Sequence, residues 1–265
     1  MRYGFCTGFA TKPQFSIDPS LERAAAGWGY DYIEYPLMAI AAMSNEEFTL
    51  LKWRLHQSGL GCDCACNLFP SEVKVIGENV SEEQIKEYLS GAFERAAELG
   101  IKKVIFGSSG SRKLGNYERR AANIQFLNCL GILDGKCSEY GMTVLIEAIQ
   151  AGQADYINTL QEAAAFVRVA NLLGYEHVGL MADFYHMCCG KEDLGTLEVN
   201  RDILRHVHVA ETERGLPCGV FSKYIGHALE TVAGFEHLDT VSFETCRPVD
   251  NDEGEASLEL LKGAI

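Results

Sequence analysis

Eight short apolar runs, separated by longer segments of amphipathic period, constrain this chain more than any single motif. They are YGFC (3–6), YIEY (32–35), CDCACNLF (62–69), KVIFG (103–107), TVLIE (143–147), VGLMAD (178–183), HVHVA (206–210) and VSFE (241–244). Runs of this length, rich in β-branched and aromatic residues, read as buried strands, and each intervening stretch has room for a helix. Helix punctuation agrees. Asp18 before Pro19 marks an N-cap and first turn, and Ser44 with Glu47, Ser81 with Gln84 and Thr159 with Glu162 have capping-box spacing. Gly27, Gly59, Gly100, Gly141, Gly174 and Gly234 each follow a helical run and precede an apolar one, where a left-handed C-cap belongs. Strands alternating with helices make parallel sheets, because each return to the same edge needs a crossover. Eight such units in 265 residues predict a single α/β domain over 1–265, a (β/α)8 TIM barrel, which takes about 250 residues. A doubly wound sheet is the alternative.

Composition narrows the partners. A formal charge of −14 argues against nucleic acid and against anionic membranes, since both need clustered Lys and Arg. The first residues carry no signal-peptide run, and no window approaches the ~20 apolar residues of a spanning helix, so a cytoplasmic protein is expected. Ten cysteines without CxxC spacing are expected to be reduced thiols. Cys62, Cys64 and Cys66 alternate along the third run and are expected to share one buried face, in preference to forming a soft-metal site.

Four runs carry a carboxylate or imidazole at or near their ends: Glu147, Asp183, His208 and Glu244. The carboxyl ends of parallel strands open into one bowl in a barrel, and neighbouring strands lie ~4.8 Å apart, so four successive ends can share a ligand sphere. Three carboxylates and one imidazole suit one divalent cation, Mn2+ first, with Co2+, Mg2+ or Zn2+ as alternatives. Such a cation also removes the cost of burying like charges together. His206 shares the face of His208 by period two but lies deeper, so His208 is the expected ligand. His186 follows Asp183 by three residues, which lets both face the bowl from one turn. Arg214, six residues after His208, is a forked donor suited to a polyol or carboxylate. Glu34 and Glu211 stand where they can line the bowl. FGSSGSRK (106–113) reads as a flexible loop in preference to a phosphate cradle, because Walker spacing is absent, and Trp28 reads as a packing residue.

Several blocks resemble a known family. IEAIQ with INTLQEA, ADFYHM, HVHVAETERGLP and SFETCRP are similar to the strand-five, DxFHM, HxHxxExxRxxP and strand-eight blocks of the ketose 3-epimerases acting on D-tagatose and D-psicose. These belong to the sugar phosphate isomerase/epimerase superfamily of xylose-isomerase-like barrels. The resemblance implies that Glu147, Asp183, His208 and Glu244 coordinate the metal and that His186 and Arg214 contact substrate oxygens. It further implies that Glu147 and Glu244 are the acid/base pair of a C3 epimerisation, and that the chain forms homo-oligomers. Two features depart from the pattern: Gln153 stands where the epimerases carry an acid, and Pro217-Cys218-Gly219 replaces their PGxG loop. Three other readings stay open. A lyase or dehydratase of a keto-sugar, 3-oxo glycoside or keto-inositol would share the first proton abstraction. A nuclease of the endonuclease IV kind would need more than seven histidines and a basic groove. A non-catalytic barrel would have no use for both glutamates.

Overall fold

The computed structural model describes residues 1–7, 19–246 and 249–265, so the expected N-cap Asp18 lies outside the described residues. Eight parallel strands close into a barrel in chain order: β1 (Arg2–Cys6), β2 (Tyr32–Pro36), β3 (Cys64–Cys66), β4 (Lys103–Phe106), β5 (Thr143–Ile146), β6 (Val178–Asp183), β7 (Leu204–Val209) and β8 (Thr240–Glu244). The seam is β1 against β8, in register from Arg2 opposite Thr240 to Cys6 opposite Glu244. The helices around it are α1 (Pro19–Trp28), α2 (Leu37–Ala42), α3 (Asn45–Ser58), α4 (Glu82–Leu99), α5 (Arg119–Tyr140), α6 (Leu160–Leu172), α7 (Phe184–Gly190), α8 (Gly195–Val199), α9 (Lys223–Val232) and α10 (Asn251–Lys262). The crossovers after β2 and β6 each contain two helices.

Period two sorts the strand residues into two layers. Phe5, Ile33, Tyr35, Val104, Phe106, Val144 and Phe243 face the helices and join the larger core. Cys6, Tyr32, Cys64, Cys66, Ile105, Leu145 and Met181 fill the barrel interior. Each such aliphatic or aromatic side chain contributes about 1.5–3 kcal/mol on burial, so a register slip of one residue would exchange the two layers at large cost. Trp28 is the packing residue expected, with its ring 5.4 Å from that of Phe5.

Two local expectations need correction. Cys62 does not share a face with Cys64 and Cys66: β3 starts only at Cys64, and Cys62 packs in the outer core. The strand also ends early, because Asn67 turns out of it at φ 48°. Gly27 lies inside α1, and the left-handed position falls to Gly29 at φ 88°. The other five glycines do take left-handed conformations, Gly59, Gly100 and Gly141 as C-caps. Ser44 and Glu47 form the full capping box. Ser81 and Thr159 accept from the expected N–H groups of Gln84 and Glu162, while the Glu162 carboxylate accepts from the Asn158 N–H at 2.6 Å. No helix among the described residues is long and apolar enough to cross a membrane.

Candidate metal centre

The carboxyl ends of β5 to β8 bring Glu147, Asp183, His208 and Glu244 together. One donor atom from each lies within 4.8 Å of all the others, and all four residues are buried. Glu147 follows β5 directly, held from behind by Arg112, whose Nη2 donates to the Glu147 carbonyl at 2.7 Å and the Gly107 carbonyl at 3.0 Å. Gly107 is required there by close approach: a Cβ would stand 1.8 Å from Glu147 Oε2. Asp183 divides its two oxygens. Oδ1 caps α7 by accepting from the Tyr185 and His186 N–H groups at 2.8 and 3.2 Å, which leaves Oδ2 turned to the cluster.

His208 is oriented by a residue that the sequence marked only as a candidate for the bowl. Glu34, fully buried on β2, lies with Oε1 3.0 Å from His208 Nε2, and its Oε2 accepts from Ser242 Oγ at 2.6 Å. With Nε2–H donating to Glu34, Nδ1 is the nitrogen turned to the cluster, 3.5 Å from Glu244 Oε2 and with no hydrogen-bond partner among the described residues. His206 lies deeper, its Nδ1 2.9 Å from Thr240 Oγ1 and its Nε2 3.4 Å from Glu34 Oε2. It is committed to the interior.

Arg214, at φ 54°, reaches back from the loop after β7 and is itself buried. Its Nη1 pairs with Glu244, its Nη2 pairs with Asp183 Oδ2 at 3.0 Å and donates to His186 Nε2 at 2.6 Å, and its guanidinium covers the Tyr185 ring. The remaining candidates are more peripheral. Gln153 is exposed, and Glu211 accepts from the Ser222 N–H at 2.9 Å. The 106–113 loop is tied down on both sides, Ser108 Oγ accepting from the N–H of Phe69 beyond β3 at 2.8 Å and Ser111 Oγ donating to the Ser108 carbonyl within the loop.

The electrostatics follow from burial and from these pairs. Burial, then the Asp183 charge, pushes the Glu147 carboxyl up to about 7. Burial opposes charge on His208, but the Glu34 carboxylate outweighs it and raises the imidazole to about 10. Burial also works against Glu34, yet the two imidazoles hold it well below the usual carboxylate range. Burial lowers His186 and His206 to about 4 each. Asp183 is held down chiefly by Arg214, against the opposing effect of burial. Three buried carboxylates around an imidazole nitrogen with no partner are a donor set that fits a divalent cation. In this arrangement the Arg214 guanidinium supplies the positive charge between Asp183 and Glu244.

The sequence profile of the xylose isomerase-like TIM barrel family matches residues 22–252. The chain belongs to this family. Within it, the chain is 37% identical over 89 residues to the 3-dehydro-D-guloside 4-epimerase of Escherichia coli (strain K12), an alignment covering 33% of each protein. It is 24% identical over 191 residues to the ketose 3-epimerase of Arthrobacter globiformis, covering 71% of this chain and 63% of that one. The alignments thus span less than two thirds of either relative. The barrel superposes on a D-psicose 3-epimerase crystallised in the presence of D-fructose with a TM-score of 0.80, over 100% of this chain and 99% of that one, at 16% identity. That likeness is one of fold.

Proposed function

We propose that this protein is a sugar epimerase of the isomerase class, dependent on one divalent metal ion, that inverts a carbon next to the carbonyl of a keto-sugar, C3 of a ketose. The observation that carries the reading is the convergence of Glu147, Asp183, His208 and Glu244 from four successive strands. In this reading the four residues hold the ion, with Mn2+ the first choice, and the whole chain works as one barrel domain in the cytoplasm. A cation held there supplies Lewis acidity, polarising a carbonyl and making the neighbouring C–H acidic.

The chain's own residues then move the proton. Glu147 and Glu244 enter from β5 and β8, with β6 and β7 between them, so they reach a planar intermediate from different directions. One takes the proton from the carbon. The other delivers a proton to the opposite face, which inverts the centre; a single base would return it to the same face. A Glu147 carboxyl near 7 can act either as acid or as base around neutrality. His186 and Arg214 would hold substrate oxygens, which requires the Arg214 fork to leave Asp183 and Glu244 when the ion and sugar enter. The buried, packed site keeps bulk water from quenching the intermediate.

A second reading is favoured by the 37% identity to the 3-dehydro-D-guloside 4-epimerase: inversion at C4 of a 3-keto glycoside. The chemistry is the same, because C4 lies next to the C3 carbonyl as C3 lies next to the C2 carbonyl of a ketose. Metal-loaded protein incubated in D2O with a panel of ketoses and 3-keto glycosides, followed by NMR, tests both. Deuterium entering with inversion at the carbon beside the carbonyl is expected, and Glu147→Gln and Glu244→Gln should each slow it by about 10²–10⁴-fold. Loss of mass from the product would instead indicate a lyase, and full turnover in either variant would remove the two-base mechanism.

A further inference from the structure

The barrel interior holds a second constellation of donors, two thiols that the epimerase reading does not use and one carboxylate that it does. Cys6 ends β1 and Cys66 ends β3; both face the interior, and Cys6 pairs in register with Glu244 across the β1–β8 seam. The two sulfurs lie 3.6 Å apart, Cys6 Sγ is 3.8 Å from Glu244 Oε1, and all three residues are buried. We infer that Cys6, Cys66 and Glu244 form a second cation site, selective for a thiophilic divalent ion such as Zn2+ or Cd2+, beside the oxygen-rich quartet and sharing Glu244 with it.

The spacing supports coordination. A tetrahedral ion with Zn–S of about 2.3 Å and Zn–O of about 2.0 Å separates two sulfurs by about 3.8 Å, and a sulfur from an oxygen by about 3.5 Å. The observed 3.6 and 3.8 Å match those edges to within a few tenths of an ångström. A disulfide would need the sulfurs to close to about 2.05 Å, and β2 lies between the strands that carry them. The two Glu244 oxygens point apart in function: Oε1 toward Cys6, and Oε2 toward His208 Nδ1 and Arg214. A carboxylate so placed can bridge two ions. Two further buried groupings are close enough to hold a cation, Cys6 with Glu34 and His208, and Glu34 with Cys64 and His206. In both, the Glu34 oxygens are already engaged by the two imidazoles and Ser242. Donor softness separates the two neighbouring sites: thiolates select Zn2+-like ions, whereas carboxylates with an imidazole accept Mn2+ or Mg2+. Each thiol gives its proton to solvent as the ion binds, and three protein ligands leave a fourth position open.

The test uses the Mn2+-loaded protein with the outer thiols Cys188, Cys189, Cys218 and Cys246 replaced by serine, titrated with Cd2+. The expected result is a near-ultraviolet thiolate-to-cadmium band that saturates at one Cd2+ per chain and is lost in Cys66→Ser. Cadmium-edge X-ray absorption of the parent protein should count two sulfur neighbours, which decides the matter even if Cys66→Ser fails to fold. A shell of oxygen and nitrogen alone, no band, or a band unchanged in a folded Cys66→Ser protein would overturn the proposal. The readout needs sulfur and no turnover, so it stands or falls separately from the epimerase reading.

Discussion

Replacing Glu34 by alanine should weaken Mn2+ binding by 10–100-fold although Glu34 is not itself one of the four proposed ligands. Its Oε1 lies 3.0 Å from His208 Nε2 and fixes the ring so that Nδ1, facing Glu244, is the nitrogen that binds the ion once its proton is displaced. Outer partners of metal-binding histidines are typically worth that 10–100-fold, or about 1.4–2.7 kcal/mol. A second effect opposes it, because Glu34 also holds a proton on His208 up to about 10, and that proton competes with the ion. The balance can be worked from charge. At about 5 Å and an effective dielectric of 20, the carboxylate attracts each unit of positive charge at Nδ1 by roughly 3 kcal/mol. A proton carries one such unit and a divalent ion two, so losing Glu34 weakens the ion's hold more than the proton's. Water entering the space left by the side chain reduces the difference toward the 10–100-fold range. Calorimetric titration with Mn2+ at fixed pH measures it, with thermal unfolding run beside it to confirm a folded protein. Glu34→Gln, which keeps the volume and an acceptor oxygen, should lose less. A folded Glu34→Ala protein that binds Mn2+ within twofold of the parent would refute the reasoning.

Two further outcomes follow from the same geometry. Arg214→Met should destabilise the metal-free protein by about 3–5 kcal/mol, because it leaves Asp183 and Glu244 buried without their guanidinium; Mn2+ should restore much of the loss, and an unchanged melting temperature without metal would contradict the account. Mn2+ affinity should rise with pH, by about tenfold per unit from 7 to 10, where the ion displaces the proton of His208. Below 7 the slope should steepen, because the Glu147 carboxyl, raised by burial and Asp183, must also lose its proton. Affinity independent of pH would show that these groups do not bind the ion.

Much of the barrel was legible because its strands are buried on both faces and therefore read as compact apolar runs. All eight runs became strands, and the four donors at or near the ends of the last four runs met as expected, since strand ends in a closed parallel barrel open into one bowl. The third strand was read too long, because an unbroken CDCACNLF hides the backbone reversal at Asn67, which depends on φ and not on polarity. Glu34 was underrated for a related reason: a carboxylate inside YIEY gives no hint that two imidazoles from β7 await it across the barrel. The pairing of Cys6 with Cys66 was invisible, as 60 residues separate them and only the closure of the sheet brings them to 3.6 Å. Arg112 sits in a Gly- and Ser-rich loop that looks solvent-facing, yet its guanidinium is fully buried behind Glu147.

Anomalous X-ray diffraction at the manganese edge, from crystals grown with saturating Mn2+, tests most directly whether these four side chains share one ion. The account requires a single strong peak within bonding distance of Glu147, Asp183, His208 Nδ1 and Glu244. No peak among them, or a peak held by other residues, would contradict it.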